Sequence, residues 1–139
     1  MVDTLGLLLQ VVVHRADLVD REGGRLVIEA VKGRFPRLER IWADQGYAGA
    51  FANWVEQTLG VGFEVVYPWW RQIKRYFPEL YQQMKQDFRV IAKRWIVERT
   101  FAWLTFQRRL VKDYEYLTQT SENLIYLAMI RIMLRRLAS

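Results

Sequence analysis

The chain contains no cysteine, so no disulfide can staple it. It has no apolar run approaching the roughly 20 residues that a membrane span requires. Its first residues, "MVDTLGLLLQVVVH", lack the basic leader and small-residue cleavage site of a signal peptide. A cytoplasmic protein with no membrane association is the expectation. Low-complexity tracts, internal repeats and obvious linkers are absent, and 139 residues suffice for one domain with a real core but not for two comfortable ones. What is present is a globular composition, 52% hydrophobic and 26% charged. Acids are in the minority, 15 against 21 lysines and arginines. The resulting charge of +6 and pI near 9.8 fit a polyanionic partner such as nucleic acid. They fit equally a basic surface kept for solubility.

The hydrophobic pattern alternates between two periods. "LGLLLQVVVH", residues 5–14, is short, branched and nearly continuously apolar, which suits a strand covered on both faces. In "DREGGRLVIEAVKGRF", Leu26, Val27, Ala30 and Val31 recur at helical spacing, and Gly33 stops the helix near Pro36. "RLERIWAD" is a strand ending at Asp44. "AFANWVEQTLG" sets Phe51, Trp54, Val55 and Leu59 at helical intervals before Gly60, and "GFEVVYP" is a further strand halted by Pro68. This order predicts an α/β unit with helices packed on a largely buried sheet.

Residues 69–87 mix Arg71, Lys74, Arg75 and Lys85 with Trp69, Trp70, Tyr76, Phe77 and Tyr81. Such interleaving can stack bases and neutralise phosphates; the blander reading, an amphipathic helix pair packing its rings on the core, is preferred. "FRVIAKRW" begins extended and runs into a helix from about Lys93 to Leu110. A last helix starts at the cap signals Thr118 to Ser121 and reaches about Leu137, with Leu124, Leu127, Ala128, Ile130, Leu134 and Leu137 on its buried side.

Two carboxylates then stand out. Steps of 100° per residue bring Arg94, Glu98, Thr105 and Arg109 into one narrow sector, making Glu98 the single acid on a basic stripe. Taken alone, Glu98 is a solvated partner for Arg94, and Asp44 before Gly46 is ordinary turn chemistry. Taken together, a carboxylate at a strand tip and another on a later helix can share divalent cations, whose hard charge prefers oxygen.

"IWADQGYAGAFANW", "KRWIVERTFAWLTFQRRLVKDYEYL" and "TSENLIYLAMIRIMLRRLA" resemble the C-terminal catalytic region of bacterial insertion-sequence transposases of the acidic-triad (DDE) type, most of all insertion sequence family five. "VDTLGLLLQVVVHRADLVDREG" resembles the second and third strands of that family and the loop after them. The likeness covers nearly the whole chain; residues 69–87 are the least familiar part and read as an insertion. It implies a partial ribonuclease-H-like fold, a mixed sheet flanked by helices with a helical C-terminal part, and cut-and-join chemistry on transposon-end DNA. Two Mg²⁺ or Mn²⁺ ions are held by three carboxylates in such enzymes. Position by position, Asp44 matches the second aspartate and Glu98 the glutamate, each catalytic and metal-binding. Arg94 matches the arginine of the arginine-to-glutamate motif and is expected to contact phosphate. The lysine expected seven positions after the glutamate is replaced by Thr105, so Arg108, Arg109 or Lys112 would supply the charge. The motif's tyrosine is replaced by Ile91.

The first triad aspartate belongs to a strand upstream of "VDTLG" in the family. Asp3 matches the family's "VDT" position and not the triad; His14, Asp17 and Asp20 match a recurrent loop. The expectation is therefore a single, N-terminally truncated catalytic domain with two acids of three, inactive alone. Its expected partners are DNA, an upstream-encoded N-terminal portion or an intact transposase, and copies of itself if it functions. The rival reading is a non-enzymatic basic fragment that binds DNA or interferes with transposition.

Overall fold

The computed structural model describes residues 1–67, 70–84 and 93–138. Their architecture is mixed α/β, mostly helical, and the chain divides into two compact units: residues 37–95, and residues 1–36 together with 96–139.

The unit of residues 37–95 is built on a parallel βαβ element. Strand β1 (Arg40–Asp44) leads through a 3₁₀ turn (Gln45–Tyr47) into helix α2 (Ala50–Leu59), and the chain returns as strand β2 (Gly62–Val66). The strands pair in parallel, Ile41 opposite Phe63 and Ala43 opposite Val65. Side chains alternate along a strand, so these four apolar residues share one face and Arg40, Trp42 and Asp44 the other. Phe51 and Val55 of α2 are buried, and the Phe51 ring meets Phe63 edge-on at 5.8 Å and Tyr47 at 5.1 Å. Two glycines set the bounds of α2. Gly49 takes φ +80° before it, and Gly60 takes the left-handed φ +68° after it, its N–H donating to Glu56 O at 2.8 Å. The strand "RIWAD" and the helix that follows thus match the sequence reading.

The sheet is smaller and more open than expected. Among the described residues it has two strands, and neither carries a fully buried residue. Next come two short helices, α3 (Trp70–Tyr76) and α4 (Pro78–Met84), the second opening on a proline whose fixed φ suits the first helical position. The expected helix pair is therefore seen, but Tyr76 and Phe77 do not pack on a core. They are 65% and 62% exposed, and the Arg75 guanidinium lies 5.5 Å from the Tyr76 ring centre, a contact that needs no burial. The proposed stop at Pro68, and Trp69, Lys85 and the extended start of "FRVIAKRW", fall outside the described residues.

The other unit holds α1 (Asp20–Val31), most of α5 (Arg94–Thr105) and α6 (Thr118–Leu137). Its N-terminal segment corrects the expectation of a strand over residues 5–14. Asp3 Oδ1 accepts from the N–H groups of Leu5 (2.9 Å) and Leu7 (2.8 Å), and Gly6 at φ +77° turns the chain back. A single bridge, Val2 to Leu8, is all the β-pairing that results. The following residues find partners on α6 instead of a sheet: Val11 N–H donates to the Tyr126 hydroxyl (3.3 Å) and Val13 N–H to Glu122 Oε1 (2.8 Å). Backbone donors must be satisfied somewhere, and side chains of a distant helix satisfy these.

The helices of this unit keep their predicted spans better than their predicted faces. α1 buries Gly23, Ile28 and Val31, while Leu26 is 40% exposed. At Gly23 a Cβ would meet the tip of the exposed His14 side chain, so the imidazole would have to turn aside for any larger residue. α5 stops at Thr105 rather than running to Leu110. The Thr105 hydroxyl donates to Ala102 O, Gln107 N–H closes on Leu104 O, and a separate 3₁₀ turn covers Arg108–Leu110. α6 begins and ends where expected and buries Ala128 as expected, but its other buried residues are Ser121 and Met129. Leu127, Ile130, Leu134 and Leu137 face solvent. No side chain caps its start; Ser121 Oγ donates to the Asp113 carboxylate at 3.0 and 3.1 Å. No helix of the described residues is long and apolar enough to cross a membrane.

Candidate active site

Asp44 sits where a parallel strand delivers it, at the C-terminal tip of β1 and exposed. In open α/β sheets that edge is where ligands bind, because the strands end there and loops diverge. The carboxylate is fixed by its own turn: Oδ1 accepts from Gly46 N–H at 2.9 Å, which makes Asp44 the cap of the 3₁₀ turn Gln45–Tyr47. Its second oxygen accepts no hydrogen bond among the described residues. Gly46 suits this geometry because a Cβ there would lie 3.0 Å from Oδ1.

The face of the sheet that carries Asp44 is polar and charged. Trp42, two residues earlier, donates its indole N–H to Glu64 Oε2 at 2.8 Å across the strand pair, and Arg40 reaches the same oxygen at 3.4 Å. The Lys93 ammonium lies 3.4 Å from the Trp42 ring centre, with Lys93 in the left-handed region at φ +67°. The sequence reading passed over this group. Trp42 alternates with Asp44 at the strand period, but its pairing with Glu64 depends on register and its pairing with Lys93 on tertiary contact.

Glu98 and Arg94 lie one turn apart on α5 and are both exposed. That helix is anchored at its buried position, Thr100, whose hydroxyl donates to Gly6 O at 2.7 Å, while Arg99 donates to Leu5 O at 2.8 Å. The Trp103 ring of the same helix carries two guanidiniums, Arg99 at 4.9 Å and Arg136 at 4.3 Å. Arg108, Arg109 and Lys112 cluster on and after the 3₁₀ turn, all exposed. Arg109 is held by Glu115 at 3.1 Å; Arg108 and Lys112 make no hydrogen bond or ion pair among the described residues. Asp44 belongs to the unit of residues 37–95 and Glu98 to the other. Among the described residues no group of three or more histidines, aspartates and glutamates stands ready to hold a metal ion.

The remaining acids of the N-terminal part have local tasks. Asp3 staples its own loop, Asp17 pairs with Arg15 at 2.6 Å, and Asp20 opens the first turn of α1, where a carboxylate suits the helix dipole. His14 Nδ1 lies 2.8 Å from Arg15 O.

The model of the family described as "Transposase DDE domain" matches residues 41–135, about two thirds of the chain. The matched segment starts inside β1 and takes in both Asp44 and Glu98. This chain belongs to that family, whose work is DNA transposition and whose chemistry generally uses divalent metal ions. Neither among the curated proteins nor among the solved structures is there a significant match.

Proposed function

We propose that Asp44 and Glu98 are the second aspartate and the glutamate of a DDE triad, in an insertion-sequence transposase of the family-five kind with a ribonuclease-H-like sheet. The observation that carries this reading is the family match, which spans both acids and opens on the strand that delivers Asp44. The parallel β1–α2–β2 element and the exposed strand-tip position of Asp44 support it.

The donors suit Mg²⁺ or Mn²⁺. Both are carboxylates on exposed residues, and the second oxygen of Asp44 accepts no hydrogen bond among the described residues, which leaves it open to a hard cation. When bound between such carboxylates, a divalent pair supplies the Lewis acidity that activates a water or 3′-hydroxyl and steadies the leaving oxygen. The protein's own share is to hold the acids and the DNA. Gly46 N–H fixes the Asp44 carboxylate, Thr100 and Arg99 anchor the helix of Glu98, and Arg94, Arg108, Arg109 and Lys112 take phosphates of the transposon end.

These 139 residues offer two of the three acids, so the chain by itself holds the metal pair weakly and neither nicks nor joins terminal-repeat DNA. Joined to a segment that supplies the first aspartate, it cuts, and Glu98→Gln abolishes the cutting. Cleavage by the 139-residue chain alone, lost in Glu98→Gln, overturns the two-acid account. The second reading, a non-enzymatic DNA-binding or interfering fragment, draws on exposed Arg108 and Lys112, which have no protein partner among the described residues. Under that reading, DNA binding survives and no completed chain cuts.

A further inference from the structure

The segment that links the 3₁₀ turn Arg108–Leu110 to α6 exposes two rings that a soluble protein ordinarily shields. Tyr116 is 99% and Tyr114 82% exposed, although tyrosine has enough apolar body to favour at least partial burial. The exposure does not come from a slack loop. The Arg109 guanidinium clasps Glu115 at 3.1 Å, so the residue between the two tyrosines is tied back to the turn. Glu115 N–H donates to Asp113 Oδ1 at 3.1 Å, and the same carboxylate receives the buried Ser121 hydroxyl of α6. With Glu115 and Asp113 both tied inward, the neighbouring rings are presented outward on a braced loop. Beside them stand Arg108 and Lys112, exposed and without a partner among the described residues, while both carboxylates of the loop are already engaged.

Outward aromatic faces between uncommitted cations are the elements with which proteins hold an unpaired nucleic-acid strand. Every base has a π face to stack, and every phosphate needs a counter-charge. A duplex, whose bases are already stacked on one another, can use the cations but not the rings. We propose that the braced loop 108–116 is a binding surface for unpaired DNA, with Tyr114 and Tyr116 stacking bases and Arg108 and Lys112 neutralising the backbone. The inference rests on the reading of the chain as a transposase in one respect: such an enzyme meets strands freed at a cut end. The binding itself needs neither metal nor a complete triad.

The test is fluorescence anisotropy without divalent metal. It uses the full 139-residue chain and labelled DNA of one sequence in three forms: single strand, blunt duplex, and duplex with a 3′ unpaired end. Tyr114→Ala and Tyr116→Ala are each expected to weaken single-strand binding by about fivefold or more. Binding to blunt duplex should change by less than about twofold, and the phenylalanine variants should restore the single-strand value. Both tyrosines are exposed, so these changes leave the fold intact, which circular dichroism checks. Arg108→Ala with Lys112→Ala should lower the salt slope for the single strand by roughly 0.7 per cation. Equal losses on single strand and duplex, or none on either, overturn the stacking surface while leaving the transposase reading in place. Failure of the chain to bind any of the three DNAs overturns the stacking surface together with the proposed phosphate contacts of Arg108 and Lys112, while the triad assignment is tested separately by cleavage.

Discussion

The hydroxyl of Thr100 gives the sharpest test of how the unit containing Glu98 is held together. It is 3% exposed and donates to Gly6 O at 2.7 Å, with Ile96 O at 3.1 Å as a second acceptor. Gly6 is itself buried, at the apex of the loop that Asp3 staples. Thr100→Val keeps the shape and removes the donor. The net hydrogen bond is worth about 1 kcal/mol, and a buried carbonyl left unmatched costs about 1–3 kcal/mol, so the expected loss is about 1–3 kcal/mol. Thr100→Ser keeps the donor and removes one methyl, a loss of about 1 kcal/mol. Urea unfolding followed by tryptophan fluorescence and circular dichroism gives both values. If the two compact units unfold in separate transitions, the change falls on the one containing residues 1–36 and 96–139. A Thr100→Val protein within about 0.5 kcal/mol of wild type, or one more stable than Thr100→Ser, refutes the assignment of this hydroxyl as the tie between α5 and the N-terminal loop.

The other unit has its own tests. Phe51→Ala removes a buried ring that meets Phe63 and Tyr47, and should cost about 3–5 kcal/mol in the same denaturation assay. Gly60→Ala forces a side chain into φ +68° with no steric obstruction otherwise, so it should cost about 1–2 kcal/mol; no change would mean that α2 ends differently. Gly23→Ala displaces the exposed His14 ring but gains the helix preference of alanine, about 1 kcal/mol, so it should be more stabilising in a His14→Ala background than in the wild type; equal effects in both backgrounds would mean that the ring does not meet position 23.

How much of this was legible in the sequence depended on whether local residues decide the outcome. "RIWAD" and "AFANWVEQTLG" read correctly because their periods are clean and Gly60 sits where a left-handed residue must. Residues 5–14 read wrongly for two reasons: Leu5 and Leu7 bond to the Asp3 carboxylate in a local loop, and Val11 and Val13 find the Tyr126 hydroxyl and the Glu122 carboxylate, more than a hundred positions away. α6 has apolar residues around most of its circumference, so its span was readable and its buried face was not; Met129 and Ser121 won positions that periodicity would give to Leu127. The candidate acids were visible only as a pair. Nothing local separates Asp44 from a turn residue or Glu98 from an exposed helical glutamate. Asp44 indeed makes the turn bond to Gly46, which a ligand carboxylate can keep while its other oxygen serves.

The measurement that bears most directly on Asp44 and Glu98 is cleavage of labelled transposon-end DNA in Mg²⁺ or Mn²⁺. The protein is the chain joined to a segment supplying the first aspartate, compared with Asp44→Asn and Glu98→Gln in the same background. Loss of cutting in each variant, with DNA binding kept, is the predicted result. Cutting at the wild-type rate by either variant would remove that residue from the site.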